Sequence, residues 1–423
     1  MTFPLLWMCS WIPRALMASD RTHPPSVLLL LPAPSSFAFD RVKDAFEPSV
    51  SDALKKLSEI LKGSDRTATL DIALAIPDLL SPSNRPREKV FAPLQHYLSS
   101  IYTLVGTVAA ARDIELDAPG GIDARVVFVD QAPPNDPKSS QTSPHASRLG
   151  PIVDLQTLAS SGRPWDHVFF PDNQAGKALV NSFISSITGP SKDRVVSIIQ
   201  SVSGSPDWTV PQSLLVPAEQ PVPTPHYSVA VGGTFDHLHV GHKLLLTATA
   251  LALEPPDEDD SGPQRVVTVG VTGDALLAKK KYAECLESWE ERFQYTAAFL
   301  AAIMDFSGDH DAAPRVQRSS APAPNGQMVV VQQRPNLVFA FVEIFDTCGP
   351  TTTDSSISAL VLSHETQAGG AIVNEERAKK QWPALAIFAV DVLQSGEATD
   401  VGSFEAKISS TEIRRRRLAS CNQ

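Results

Sequence analysis

Two textures of apolar and polar positions divide this chain. From Ser26 to about Gln200, short apolar runs alternate with helical patterns. VLLLL (27–31), LDIALAI (70–76), RVVFVD (125–130) and DHVFF (166–170) read as buried strands. FDRVKDAFEPSVSDALKKLSEIL and KVFAPLQHYLSSIYTLVGTVAAA carry apolar residues at helical spacing and read as the helices between them. After residue 226 the alternation resumes. SVAVGG, RVVTVGVTG, LVFAFVEIFD, SALVLSHE and LAIFAVDVL read as strands, and HKLLLTATALAL, LESWEERFQYTAAFLAAIM and NEERAKKQW as helices. Apolar strands alternating with helices predict a mostly parallel, doubly wound sheet. The expected fold is therefore α/β throughout, with a Rossmann-like doubly wound parallel sheet preceded by a second, smaller α/β domain.

The punctuation sets the boundaries. PAEQPVPTPHY places prolines at 217, 221, 223 and 225, which stiffen and extend a chain and continue neither sheet nor helix. This reading gives an N-terminal extension over 1–25, an α/β domain over 26–205, a proline-rich linker over 206–226 and a second domain over 227–423. Three polar stretches, 133–151, 254–264 and 307–326, are expected to be loops or disordered insertions.

Composition narrows the class. A chain of 423 residues with 43% hydrophobic and 20% charged residues has ample material for a core. A net charge of -11 argues against coating nucleic acid or anionic membrane, so an anionic ligand must be met by local positive groups. Cys9, Cys285, Cys348 and Cys421 lie far apart with no C-x-x-C pair, which fits a reducing compartment. No run reaches the roughly 18 apolar residues of a membrane span. The first residues, MTFPLLWMCSWIPRALM, lack a basic n-region and are broken by Pro4 and Pro13. A cytoplasmic protein is expected, with nuclear or mitochondrial association as alternatives and translation from Met1 or Met17.

One stretch carries chemistry. GGTFDHLHVGH (232–242) follows a predicted strand and opens a helix, and holds His237, His239 and His242. In an open parallel sheet the strand-to-helix turn is where ligands bind. Gly232 and Gly233 let backbone approach a bulky anion, Gly241 leaves the first helical turn bare, and the free N–H groups there point at it. His239 and His242, three apart, can face one side; Thr234 adds a hydroxyl and Lys243 charge. A zinc site built from three imidazoles is the competing reading, but it leaves the glycines unexplained and has no cysteine nearby. A second feature, KISSTEIRRRR (407–417), places Ser409 or Ser410 to cap a helix with Glu412 behind, and Arg414 one turn along. It offers another anion site. Arg415–Arg417 read as solvated surface.

At these two features the chain resembles the nucleotidyltransferases marked by H-x-G-H and a C-terminal I-S-S-T-x-x-R, here 239–242 and 408–414. GGTFDHLHVGHK, VGVTGDALLAKKKYAECLESWEER, DTCGPT (346–351) and LVLSHET (360–366) narrow the likeness to phosphopantetheine adenylyltransferase, in particular the fungal type. The likeness runs from Tyr227 to Leu418, about half the chain. It implies transfer of AMP from ATP to 4′-phosphopantetheine, giving dephospho-coenzyme A and pyrophosphate. His242 would contact the α-phosphate, His239 the β- and γ-phosphates, and Thr234 the acceptor phosphate. Ser409, Ser410, Thr411 and Arg414 would hold the nucleotide, alongside Gly232, Gly233, Phe235 and Gly241. Among Lys279, Lys280 and Lys281, Lys280 is favoured for phosphate charge, and Arg292 is a further phosphate candidate. His364, Glu365 and Thr366 would lie on the pantetheine side or shape a loop. His237 reads as a turn residue and Asp236 as a loop fixer, with no protein ligand for a metal. Magnesium would come with ATP, held by its oxygens and water. Other enzymes of coenzyme A synthesis are possible partners; nucleic acid is not expected.

The nearest rival is a nicotinamide mononucleotide adenylyltransferase, which shares I-S-S-T-x-x-R; G-T-F-D and S-H-E-T favour phosphopantetheine. A rival of another class is a non-catalytic nucleotide-binding scaffold. No G-x-x-x-x-G-K-[ST] occurs, so the following kinase step is not expected.

Overall fold

The computed structural model describes residues 23–116, 120–131, 148–187, 192–211, 214–215, 223–255, 262–308, 313–320, 324–391, 393 and 409–421. Most of the predicted N-terminal extension and of the loop over 133–151, and residues 212–213 and 216–222 of the proline-rich linker, lie outside the described residues.

The first half forms β1 (Ser26–Leu31), α1 (Phe39–Leu61), β2 (Ala68–Pro77), α2 (Glu88–Ala111), β3 (Ile122–Gln131), β4 (Ile152–Asp154), α3 (Leu155–Ala159), β5 (His167–Pro171), α4 (Gln174–Ser186), α5 (Lys192–Ser197) and β6 (Ile199–Val202). Its six strands lie in the order β4-β3-β2-β1-β5-β6, and every pairing is parallel. Strands covered on both faces need unbroken apolar runs rather than alternation. Val27–Leu31 and Ile72–Ile76 supply them, every residue buried.

The second half forms β7 (Ser228–Gly233), α6 (Val240–Ala252), β8 (Arg265–Thr272), α7 (Asp274–Leu277), α8 (Trp289–Met304), β9 (Arg315–Ser320), β10 (Gln327–Arg334), β11 (Leu337–Ile344), β12 (Ala359–Ser363), α9 (Gln367–Lys379), β13 (Ala386–Val390) and α10 (Ser410–Cys421). The seven strands run β13-β12-β7-β8-β11-β10-β9. Five are parallel; β10 extends the sheet antiparallel to β11, and β9 antiparallel to β10. This corrects the expectation for 307–326, which contains β9 rather than only an unstructured insertion. β9 is exposed along nearly its whole length, so it has no apolar alternation to betray it. It pairs through backbone, as polar edge strands do. The strand predicted over 358–365 stops at Ser363, where a tight turn, His364–Thr366, opens α9.

Both halves contribute to one continuous hydrophobic cluster. Its seam is α2 against α6, and polar contacts flank it. Glu254, just past α6, accepts Arg85 Nε and the Arg87 N–H, each at 2.8 Å. Asp391, after β13, accepts Gln95 Nε2 at 3.1 Å and meets His96 Nδ1 at 2.9 Å. Among the described residues no helix is long and apolar enough to cross a membrane.

Candidate functional site

The loop from β7 into α6 is held rigid from beneath. Arg292, fully buried on α8, donates to the carbonyls of Thr234 at 2.6 Å, Thr272 at 2.7 Å and Glu287 at 3.1 Å, and pairs with Asp274 at 2.6 Å. Nε, Nη1 and Nη2 are thereby all committed to protein oxygens. Arg292 braces the Thr234 turn from below, and the structure does not bring it to an open phosphate position. Thr272 Oγ1 donates to the Gly233 carbonyl at 3.1 Å. Phe235 and His237 both take left-handed backbone, φ 52° and 46°, a strained choice for residues with side chains. The surroundings enforce it. The Phe235 ring is buried, and the His237 N–H donates to Glu287 Oε2 at 2.8 Å.

Asp236 is the hub. Its buried carboxylate accepts the Glu287 N–H at 3.0 Å on one oxygen and Arg414 Nη1 on the other, and its carbonyl accepts Ser410 Oγ at 2.9 Å. The start of α10 is thus tied to the loop preceding α6, and the two sequence features meet on one residue. Ser409 caps α10, its Oγ accepting the Glu412 N–H at 3.3 Å. Arg414 is 3% exposed and also donates to the Lys281 carbonyl at 3.1 Å and Thr411 Oγ1 at 3.2 Å. It joins loop, helix and lysine segment, in place of the freely presented guanidinium expected of a phosphate ligand. Lys279, Lys280 and Lys281 are exposed at the rim.

Above this base, His239 forms the N-cap of α6, its Nδ1 accepting the Gly241 N–H at 3.2 Å. Its ring stacks on that of His242, centroids 3.9 Å apart and planes at 22°. Gly241 leaves room beside the stack. A Cβ there would stand 3.1 Å from His239 Cε1, tighter than ordinary contact. Burial, with a smaller push from His237, holds the His242 pKa down at about 3. The ring is therefore neutral at pH 7, a donor of one N–H. Gly232 and Gly233 complete the turn, exposed and half-buried respectively. The arrangement offers an anion a bare helix start, a hydroxyl from Thr234 and two stacked imidazoles.

His237 faces elsewhere. Nε2 lies 2.8 Å from the Cys285 carbonyl, and Nδ1 lies 3.3 Å from Glu287. Burial pulls its pKa down, but Glu287 and Asp236 outweigh that and raise it. The three histidines do not converge, so a three-imidazole zinc site has no support. Asp236, His237 and Glu287 do bring one ligand atom each within 4.8 Å of one another. Asp236 is already bound to Arg414 and the Glu287 N–H, His237 Nε2 lies against the Cys285 carbonyl, and the Glu287 carboxylate accepts the His237 N–H. Glu287 was invisible in sequence, since only the fold brings it under the histidine loop. Lys243 and Arg416 depart from expectation. Lys243 turns from the cleft to Asp123 of β3 at 2.6 Å, and Arg416 is no free surface group but pairs with Glu115. His364 sits apart from the histidine pair, its Nε2 3.2 Å from Asp391.

Residues 17–206 match a family described as Domain of unknown function (DUF8446). Over 186 residues, 44% of this chain, the protein is 38% identical to an uncharacterized protein of Schizosaccharomyces pombe, of which the match covers 46%. It is 33% identical over 186 residues to the phosphopantetheine adenylyltransferase of Saccharomyces cerevisiae, covering 47% of it. It is 29% identical over 186 residues to the phosphopantetheine adenylyltransferase of Pyrococcus horikoshii, covering 87% of that shorter chain. The match spans less than half the length of the two yeast relatives.

Proposed function

We propose that this protein is a nucleotidyltransferase that moves the AMP part of ATP onto 4′-phosphopantetheine, releasing pyrophosphate. The observation that carries this reading is the joining of two anion-ready helix starts on one loop, His239 and His242 on α6 and Ser409, Ser410 and Thr411 on α10. The names of the yeast and archaeal relatives support the choice of acceptor.

The chemistry asks little covalent work of the protein. An oxygen of the acceptor phosphate attacks the α-phosphorus of ATP, a new P–O bond forms, and the bond to the β-phosphate breaks. A phosphate monoester is already a nucleophile near neutral pH, so positioning and charge stabilisation dominate. His242, neutral, would donate its N–H to a non-bridging α-phosphate oxygen as charge grows there, with His239 toward the β- and γ-phosphates. Thr234 and the backbone of Gly232, Gly233, Phe235 and Gly241 would line the nucleotide and acceptor phosphate. Lys280, with its neighbours, would neutralise charge from the rim. Arg292 and Arg414 serve this reading as braces of the loop. Asp236 is committed to Arg414 and the Glu287 N–H, so magnesium would be held by ATP oxygens and water.

The test is pyrophosphate release from ATP by the purified protein, with phosphopantetheine and nicotinamide mononucleotide as competing acceptors and CTP as competing donor. Release with phosphopantetheine and ATP is expected. Preference for nicotinamide mononucleotide would replace the acceptor, and release with neither would overturn the reading.

A further inference from the structure

The pair between Lys243 and Asp123 has no part in the chemistry above, yet it touches the helix that would perform it. Lys243 follows His242 directly, is 3% exposed, and places Nζ 2.6 Å from Asp123 Oδ1. Its backbone N–H donates to the His239 carbonyl at 3.0 Å, the first hydrogen bond of α6. The side-chain anchor and the histidine cap are thus joined through one residue. On the other side, Asp123 is fixed by Arg125, whose Nη2 and Nε lie 2.6 and 2.8 Å from Oδ2. Glu115, at the other end of the α2–β3 connection, pairs with Arg416 of α10. The α2–β3 connection and the start of β3 therefore touch both helices of the candidate site.

We propose that Asp123 is a positioning residue for the adenylyl transfer. Resting on the reading of the site given above, the claim is that Asp123 fixes the axial setting of the first turn of α6, and with it His239 and His242, relative to α10. An anchor of this kind acts on turnover more than on binding, because misplacing reacting groups by about 1 Å costs on the order of 100-fold in rate. A pair that merely glued the halves together would act only on stability.

Three full-length variants separate these roles. Asp123→Asn leaves Lys243 buried without its anion. Asp123→Asn with Lys243→Met also removes the lysine charge, so the penalty of a buried lysine without its anion disappears while the tether stays broken. The loss at Arg125, the other partner of Asp123, is common to both variants. Arg85→Met breaks a contact of the same seam at the far end of α6, where Arg85 meets Glu254. The readouts are the unfolding temperature and steady-state pyrophosphate release with ATP and phosphopantetheine. Asp123→Asn is expected to lower kcat at least about tenfold, with both KM values within about twofold. The double variant recovers the part of the unfolding temperature lost at Lys243 but not kcat, and Arg85→Met lowers the unfolding temperature alone. If kcat follows the unfolding temperature through all three, or the double variant recovers it, the positioning role is overturned. Should the wild-type protein use no acceptor, the reading of the site has failed, and histidine ring NMR decides the positioning claim by itself. Asp123→Asn must then shift the His239 and His242 ring signals while Arg85→Met leaves them in place; unshifted rings overturn it.

Discussion

The carboxyl ends of β1 and β5 in the first sheet and of β7 and β12 in the second are equivalent places. At each, strand order reverses around a central strand, the position where open parallel sheets bind ligands. In the first sheet the protein's own chain fills it. After β6 the chain crosses the strand ends. Asn173 Nδ2 donates to the Ser205 carbonyl at 3.1 Å, and Trp208 Nε1 donates to the Ala33 carbonyl at 2.9 Å. The Trp208 ring meets Phe46 edge-on, centroids 5.6 Å apart. The Asp207 carboxylate accepts the Gln174 N–H at 2.8 Å, so the start of α4 already holds an anion. In the second sheet the buried side chains Arg292, Asp236 and Arg414 brace the loop from beneath and leave the start of α6 to two half-buried imidazoles. Two sheets of one architecture thus differ in what lies over the same edge. Among the described residues only the first edge is crossed by such a segment, and the second is the edge that the proposed function uses.

The brace is where the comparison breaks most easily. Arg414→Met leaves the Asp236 carboxylate buried without its cation, which costs about 3–5 kcal/mol. A clear drop in unfolding temperature with loss of turnover is expected; an unchanged unfolding temperature would show that the loop does not depend on this pair. Next in size is His242→Ala, which should lower kcat on the order of 100- to 1,000-fold and leave circular dichroism unchanged. Near-normal turnover would remove His242 from the chemistry. Its pKa, held at about 3, also fixes a sign. The unfolded chain takes up this proton first, near pH 6.5, so stability falls as pH drops from about 6.5 toward 3. His242→Ala should flatten that part of the curve. His237, with its raised pKa, titrates oppositely: its stabilisation is complete below the unfolded value and fades as pH rises through the folded one. The rate should follow the acceptor phosphate, with a pKa near 6, and not a histidine; a limb that disappears with His242 would contradict a neutral ring.

The same contrast explains which features the amino-acid sequence displays. Parallel strands announce themselves through apolar runs, so β1, β2, β7, β8 and β11 were legible, as was the loop of glycines and histidines between strand and helix. β9 was not, because an edge strand needs only backbone. The direction of long polar side chains was not legible either. Arg292, Arg414, Lys243 and Arg416 looked alike as phosphate ligands, nearby charge or surface. Each is settled by an acidic group or carbonyl far away in sequence: Asp274 and the Thr234 carbonyl, Asp236, Asp123 and Glu115. Spacing reveals which residues share a helix face, whereas a buried ion pair depends on two elements meeting.

The smallest effect tests the filled edge. Trp208 is half-buried, so Trp208→Ala should cost less than the roughly 3–5 kcal/mol of a core tryptophan, about 2 kcal/mol. Denaturant unfolding measures it, and kcat should stay as in the unsubstituted protein, because the covering segment lies over the other sheet. A variant with lower kcat and unchanged stability would mean that the two edges communicate. The N-terminal half would then influence the site through this covering as well as through Asp123 and Glu115. With kcat unchanged and stability reduced, the covering is the first sheet's substitute for a ligand and has no part in the influence of that half on the site.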